Sequence, residues 1–323
     1  MLRRWGLRGT AVNELSIEPP AVVGELVAFI RQSVEDFRRE GAIIGLSGGI
    51  DSAVVAALAA RALGPGRVLA LILPERDSAP ESRRLALALA SSLGISCKTI
   101  RLTPLLALLG VYWQLPLWLL PTRRLQKKMV RRYYARYSEA LGEEETPFSA
   151  VMVGTRGLQG PWLNQAVAYH RVKVRLRMVL LYYYAERHNL LMLGTCNKTE
   201  LAVGFFVKHG DAACDVAPLA PFYKTQVRAL ATYLELPEEI ITRPPSPDIL
   251  PGVSDEQAME LDYATLDRLL WRLERGLGAE TIAEQLALPL AQVRYVEKLT
   301  RRARCLQASP LVPQGNCWGD SQR

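Results

Sequence analysis

The stretch "IIGLSGGIDSAVVAALAARALG", residues 43–64, enters as a short apolar run, crosses two glycines, two serines and an aspartate, and leaves as an Ala-rich helix. It reads as a buried strand, a tight loop and a helix N-terminus. Such a junction leaves the first-turn N–H groups unpaired at the positive end of the helix dipole, so it is prepared for anions. Within "SGGIDS", Gly48 and Gly49 let the backbone approach a ligand closely and take positive φ, Ser47 and Ser52 add hydroxyl donors, and Asp51 offers a hard oxygen suited to Mg²⁺. No GK[ST] follows, which excludes the loop that holds β- and γ-phosphates in P-loop NTPases. The plain alternative is an ordinary strand–helix turn capped by serine.

Outward from the loop, strands and helices alternate. Residues 21–37 show apolar residues at helical spacing, 42–46 read as a strand and 53–63 as a helix. Residues 67–73 read as a second strand, 81–93 as a helix stopped by Gly94, and 95–102 as a third strand. Residues 172–187 look helical, 190–195 strand-like, and helices fill most of 223–304. The pattern predicts an α/β fold: a doubly wound parallel sheet with helices on both faces, a helical C-terminal segment, and ligands at the carboxyl ends of the strands. There is no internal repeat. One domain over 1–323 is expected, with an insertion at 111–165 and a poorly ordered tail at 305–323.

Bulk properties narrow the class. With 323 residues and 49% hydrophobic content the chain can bury a substantial core. Five cysteines (Cys97, Cys196, Cys214, Cys305, Cys317), an odd number without CxxC pairing, argue against a disulfide framework or structural zinc and for a reducing cytoplasm. No apolar run approaches the ~18 residues of a membrane span. The net charge of +8 is local: seven basic residues between 122 and 140 stand against Glu139 alone, which gives six of the eight. That distribution argues against nucleic-acid binding over the whole surface.

The "SGGIDS" string resembles the pyrophosphate loop of the N-type ATP pyrophosphatases, which cleave ATP between the α- and β-phosphates. From Arg175 onward the chain is similar to the NAD synthetases: "VKVRLRM", "GTCNKTELAVGFFVKHGD", "PLAPFYKTQVRALATYL" and "RPPSPDILPGVSDEQAMELDYATLD" occur in that family's order. The resemblance implies an adenine nucleotide alpha hydrolase-like fold. It also implies ATP-dependent amidation of nicotinic acid adenine dinucleotide to NAD through an adenylate, with release of AMP and pyrophosphate. ATP would contact Gly45, Leu46, Ser47, Gly48, Gly49, Ile50, Asp51, Ser52, Thr195, Lys224 and Ser246. Asp51 and Glu200 would ligate Mg²⁺, and Arg175, Lys208 and Asp215 would hold the dinucleotide. Asp51, Lys208 and Asp211 are the catalytic candidates, with Asp211 accepting the proton that turns ammonium into a nucleophile. No segment is left for a glutamine-hydrolysing domain, so free ammonia, or ammonia delivered by a separate donor protein, is the expected nitrogen source. The family is typically a homodimer, which would let Arg175 serve a neighbouring site.

Several readings stay open. Cys196 in "GTCNKTE" is a nucleophile or, more often for such a position, a small buried thiol. From Thr122 a helix would put Arg124, Lys128, Arg132 and Arg136 on one row beside Leu125, Met129, Tyr133 and Tyr137. This basic amphipathic helix is a packed helix with a solvated face, a lid for polyanionic substrates, or a membrane-surface or nucleic-acid contact. The usual family His-Lys pair near the C-terminus is replaced by Cys305 and Leu306, which predicts weak dinucleotide binding or another carboxylate acceptor. Residues 279–304 scan as a helix–turn–helix, or as two ordinary packing helices. A tRNA-thiolating activity would want paired cysteines, and Cys196 and Cys214 are too far apart in sequence to make that motif.

Overall fold

The computed structural model describes residues 14–114, 125, 128, 129, 132, 161–244 and 261–307. Four parallel strands form its sheet: β1 (Gly41–Gly45), β2 (Val68–Ile72), β3 (Ser96–Thr99) and β4 (Leu190–Leu193), in the order β3-β2-β1-β4. Ile43 sits opposite Leu69 of β2 and Met192 of β4, so β1 is the centre of the sheet. A strand covered on both faces must be apolar throughout. Accordingly, Ala42 and Ile44 enter one core while Ile43, with Leu71 and Met192, enters the other.

The first core lies under α1 (Pro19–Asp36) and α2 (Ile50–Leu63). Helix α1 is amphipathic and buries Val22, Val23, Leu26, Ile30 and Val34. Helix α2 is buried almost all round from Ala53 to Ala59, and its alanines let it lie close against the sheet and α1. Beyond β2, α3 (Pro80–Ser92) leads to β3, and α4 (Thr103–Leu108) and α5 (Val111–Gln114) follow. The second core lies under α6 (Pro161–His188), whose Tyr169, Leu181, Tyr184 and Ala185 pack on Ile43, Leu71 and Met192.

A third cluster joins Leu15, Val203 and Tyr223 to the C-terminal helices α10 (Tyr263–Glu274), α11 (Ala279–Leu286) and α12 (Leu290–Gln307). Between β4 and these helices lie α7 (Lys198–Val203), α8 (Lys224–Tyr233) and α9 (Glu238–Ile241). Ile282, Val293, Val296 and Leu299 all point into this cluster, so residues 279–304 are packing helices here. No helix among the described residues is long and apolar enough to cross a membrane.

Some boundaries differ from those read in the sequence. Helix α2 starts at Ile50, not at residue 53, because extended Gly49 is its N-cap, and this puts Asp51 and Ser52 in its first turn. Helix α6 begins at Pro161, before the expected end of the insertion, and α5 occupies 111–114. Residues 305–307 belong to α12, while 308–323 lie outside the described residues. So do Ser246 and most of the basic helix expected from Thr122.

Candidate active site

Going from β1, the chain turns to β2 on one side of the sheet, and β4 lies on the other. The carboxyl ends of β1 and β4 therefore flank a point where strand order reverses, the usual place for a ligand crevice in such sheets. A cavity of about 330 Å³ opens there, lined by the loop residues 45–47 and 49–52, by Thr195 and Glu200 after β4, and by Lys224 at the start of α8.

The loop is shaped by its own hydroxyls. Ser47 Oγ and Ser52 Oγ are 3.0 Å apart, Ser52 Oγ donates to Gly49 O at 3.0 Å, and Gly49 N donates to Ser47 Oγ at 3.2 Å. No side chain caps α2, so its first turn keeps its N–H groups directed to the cavity end of the helix. Gly48 has φ +78° and lies against α3: a Cβ there would come within 2.3 Å of Ser82 O. Glycine is required at that position on both counts.

Across the switch point stands a charged knot. Lys224 Nζ lies 2.5 Å from Asp51 Oδ2 and 3.2 Å from Glu200 Oε1. Asn197 Nδ2 donates to Asp51 Oδ1 at 2.8 Å, and Asn197 also forms a capping box with Glu200: Glu200 N to Asn197 Oδ1 at 3.0 Å, Asn197 N to Glu200 Oε2 at 3.2 Å. Behind Lys224, Thr199 Oγ1 accepts from Lys224 N at 2.9 Å and donates to Asp267 Oδ1 at 2.5 Å; Asp267 Oδ2 accepts from Thr225 N at 2.8 Å. Asp267 is fully buried, and burial raises its pKa above the ordinary carboxylate value.

Two carboxylates reaching one ammonium make a convergent pair of hard oxygen donors. That donor set suits a divalent cation such as Mg²⁺, which commonly takes one or two carboxylates and fills its remaining positions with water and substrate phosphates. Among the described residues no cluster of three or more His, Cys, Asp or Glu side chains joins them, so the phosphates would have to complete the coordination.

Asp211 faces the same cavity from a turn in which its Oδ1 accepts from Val207 N at 2.6 Å. Its surface opens into the cavity, but protein closes round it deeply enough that desolvation pushes its pKa up to about 6. Cys196 also lines the cavity; it is buried, and burial drives its thiol well above the ordinary value, which supports the packing reading. Cys214 packs against Gly194, where a Cβ would lie 2.5 Å from its Sγ.

None of the expected dinucleotide trio lines the cavity: Arg175 sits on the next stripe of α6, and Lys208 and Asp215 follow α7. Val174, Met178 and Leu181 face the cavity, whereas exposed Arg175 donates to Lys208 O at 3.4 Å through Nε. Asp215 accepts from Met192 N at 2.9 Å and from Tyr182 OH at 3.2 Å, one bond to each carboxylate oxygen, which fixes it beside β4. The structure thus brings Arg175 and Lys208 together and sets Asp215 two turns along α6, beside Tyr182.

Behind the opposite wall stands a group that sequence reasoning missed. Fully buried Lys173 lies 3.2 Å from Glu75 Oε1 and 2.6 Å from Asp77 Oδ2. Tyr112 OH donates to Glu75 Oε2 at 2.8 Å, Tyr169 OH donates to Asp77 Oδ2, and Arg76 pairs with Asp77 Oδ1 at 3.0 Å while stacking 3.8 Å from the Tyr112 ring centre. Burial works against the Asp77 charge, but Lys173, Tyr169 and Arg76 together hold its pKa below the ordinary value. This cluster ties the segment after β2, including cavity-lining Pro74 and Ser78, to α6, whose His170 and Arg177 also line the cavity. His170 is kept neutral, its pKa lowered to about 3 by burial and then by Lys173, Arg171 and Arg177.

The sequence profile of the NAD synthase family matches residues 22–114 and 149–309. The chain belongs to the NAD synthase family. The unmatched gap, 115–148, contains all seven basic residues of the expected insertion helix. The NH(3)-dependent NAD(+) synthetase of Coprothermobacter proteolyticus is 44% identical over 276 residues, covering 84% of this chain and 92% of that one. That of Methanocaldococcus jannaschii is 34% identical over 293 residues, covering 91% and 96%. Among solved structures, the NMN synthetase of Francisella tularensis superposes with a TM-score of 0.67 at 26% identity, over 93% of this chain and all of that one. The family assignment extends through α12, so residues 279–304 belong to the synthetase body.

Proposed function

We propose that this chain is an ammonia-dependent NAD synthetase that amidates nicotinic acid adenine dinucleotide at the expense of ATP. The observation that carries this is the Asp51–Glu200–Lys224 knot, joined by Asn197 and placed across the strand switch point from an open helix N-terminus. In the first step a carboxylate oxygen of the acceptor attacks the α-phosphorus and pyrophosphate leaves, giving an acyl adenylate. Ser47, Ser52 and the first turn of α2 hold the departing phosphates, and Lys224 neutralises charge beside them. Mg²⁺, held by Asp51 and Glu200, would supply further charge neutralisation to the triphosphate. In the second step ammonia attacks the acyl carbon and AMP leaves. Asp211 takes the proton, a role that its pKa of about 6 permits because it is ionised near neutral pH.

Arg175, bonded to Lys208 O, and Lys208 itself would hold the dinucleotide together with Asp215, and a homodimer would use the α6 face that exposes Val179 and Tyr183. Ser246 is retained as an ATP contact and a cytoplasmic location as the setting for the unpaired Cys97, Cys196, Cys214 and Cys305. The resemblance to an NMN synthetase favours one second reading, a mononucleotide acid as acceptor. Product analysis tests the main chemistry: AMP and pyrophosphate should appear only when MgATP and the acceptor are both present, and ADP as product would refute it.

A further inference from the structure

Arg243, just beyond α9, spans the joint between the phosphate loop and α3. Its Nη1 donates to Gly48 O at 3.3 Å and its Nη2 to Ser82 Oγ at 2.8 Å. This is the joint at which the Gly48 backbone presses on Ser82 too tightly for any side chain. Removing the guanidinium would leave the loop tip held by that contact without its hydrogen bonds. A flexible tip would misdirect the N–H groups that follow it.

Charge points the same way. Lys224, which also lines the cavity beside the loop, is bound to two carboxylates, whereas both hydrogen-bond acceptors of Arg243 are neutral. The carboxylate that Arg243 influences, Glu81, is exposed and gripped by Arg84 at 2.5 Å. Arg243 also lines the cavity, and its two bonds use two of five N–H donors. A guanidinium is well matched to phosphate oxygens.

We propose that Arg243 is a phosphate-positioning residue, which fixes the loop tip through Gly48 and Ser82 and turns positive charge toward the pyrophosphate end of the nucleotide. This rests on the synthetase reading. The test uses the full chain and three variants of one side chain: Arg243→Ala, Arg243→Gln and Arg243→Lys. Binding of magnesium pyrophosphate is measured by calorimetry alongside binding of the dinucleotide acid and turnover.

Arg243→Ala should weaken pyrophosphate binding and raise the KM for ATP by about tenfold to a hundredfold, the scale of a lost hydrogen bond to a charged group. Dinucleotide affinity should stay within about twofold, and Arg243→Lys, which keeps charge but cannot bridge both acceptors, should fall between Ala and the parent. Arg243→Gln, without charge, should resemble Ala. Pyrophosphate affinity unchanged in Ala, or dinucleotide affinity lost equally, would overturn the proposal. Failure of the parent chain itself to release pyrophosphate would instead overturn the synthetase reading beneath it.

Discussion

The two walls of the cavity are held by similar chemistry put to different uses. On the switch-point wall, Lys224 bridges Asp51 and Glu200, whose side chains remain 17% and 14% exposed to the cavity. On the α6 wall, Lys173 bridges Glu75 and Asp77, with exposures of 0% and 4%. An ion pair at a cavity surface can exchange its partners for a ligand, while a buried one can only hold its elements together. The comparison separates a binding wall from a framing wall, and substitutions in each should report different quantities.

The largest effect is expected on the framing wall. Lys173→Met takes the ammonium from two buried carboxylates and leaves Arg76 on Asp77, and breaking a buried pair in this way costs about 3–5 kcal/mol. Denaturant unfolding should show the loss, with the KM values of the surviving folded fraction little changed. On the binding wall, Asp51→Asn should lower kcat by about 10²–10³ while costing less stability than Lys173→Met. If Asp51→Asn unfolded the protein and Lys173→Met slowed only the chemistry, the division of the walls would be reversed.

A smaller effect sharpens the chemistry of the binding wall. Asp211 holds its proton up to about pH 6 when folded, against an ordinary value of 3.8. Between those values the native state binds the extra proton, so ionisation of Asp211 costs stability as pH rises through this window. Asp211→Asn should therefore raise Tm above pH 6 and lose that advantage below about pH 4. The same variant should lose ammonia-dependent turnover, together with the rise in parent activity near pH 6. Persistence of that rise in the variant would assign it to another group.

How much of this was legible in the sequence depended on distance along the chain. The loop was readable because strand, turn and helix are consecutive, so spacing alone placed Ser47, Asp51 and Ser52 at a helix N-terminus. Asn197 was missed although "NKTE" carries the pattern of a capping box; what could not be read was its bond to Asp51, 146 residues away. Asp267 gave no local signal, since its partners Thr199 and Thr225 lie 68 and 42 residues before it. Lys173 was overshadowed by Arg175 in the same block, yet a lysine flanked by Val172 and Val174 in a helix invited the question of what neutralises it. Asp215 was expected at the substrate; its bond to Met192 N, 23 residues before it, is one that no local pattern shows.

The smallest effect concerns the departure at Cys305 and Leu306. These end α12, where Leu306 packs 3.7 Å from the position of a Gly204 Cβ and Gln307 bonds to Leu201 O, and neither residue lines the cavity. Cys305→His/Leu306→Lys should therefore change the dinucleotide KM by roughly twofold or less, the ~0.5 kcal/mol scale of surface substitutions. A large gain in kcat/KM would mean that this end of α12 reaches the substrate and that the binding wall extends further than the cavity.

Acceptor and nitrogen source are tested together by incubating the purified chain with MgATP, isotope-labelled ammonium and nicotinic acid adenine dinucleotide, with the mononucleotide acid present in equal amount, and following the products by mass spectrometry. Label is expected in the amide of NAD, with one AMP and one pyrophosphate per amide formed and the dinucleotide consumed ahead of the mononucleotide. Label appearing only in the mononucleotide amide, or AMP release without any amide, would contradict the synthetase reading.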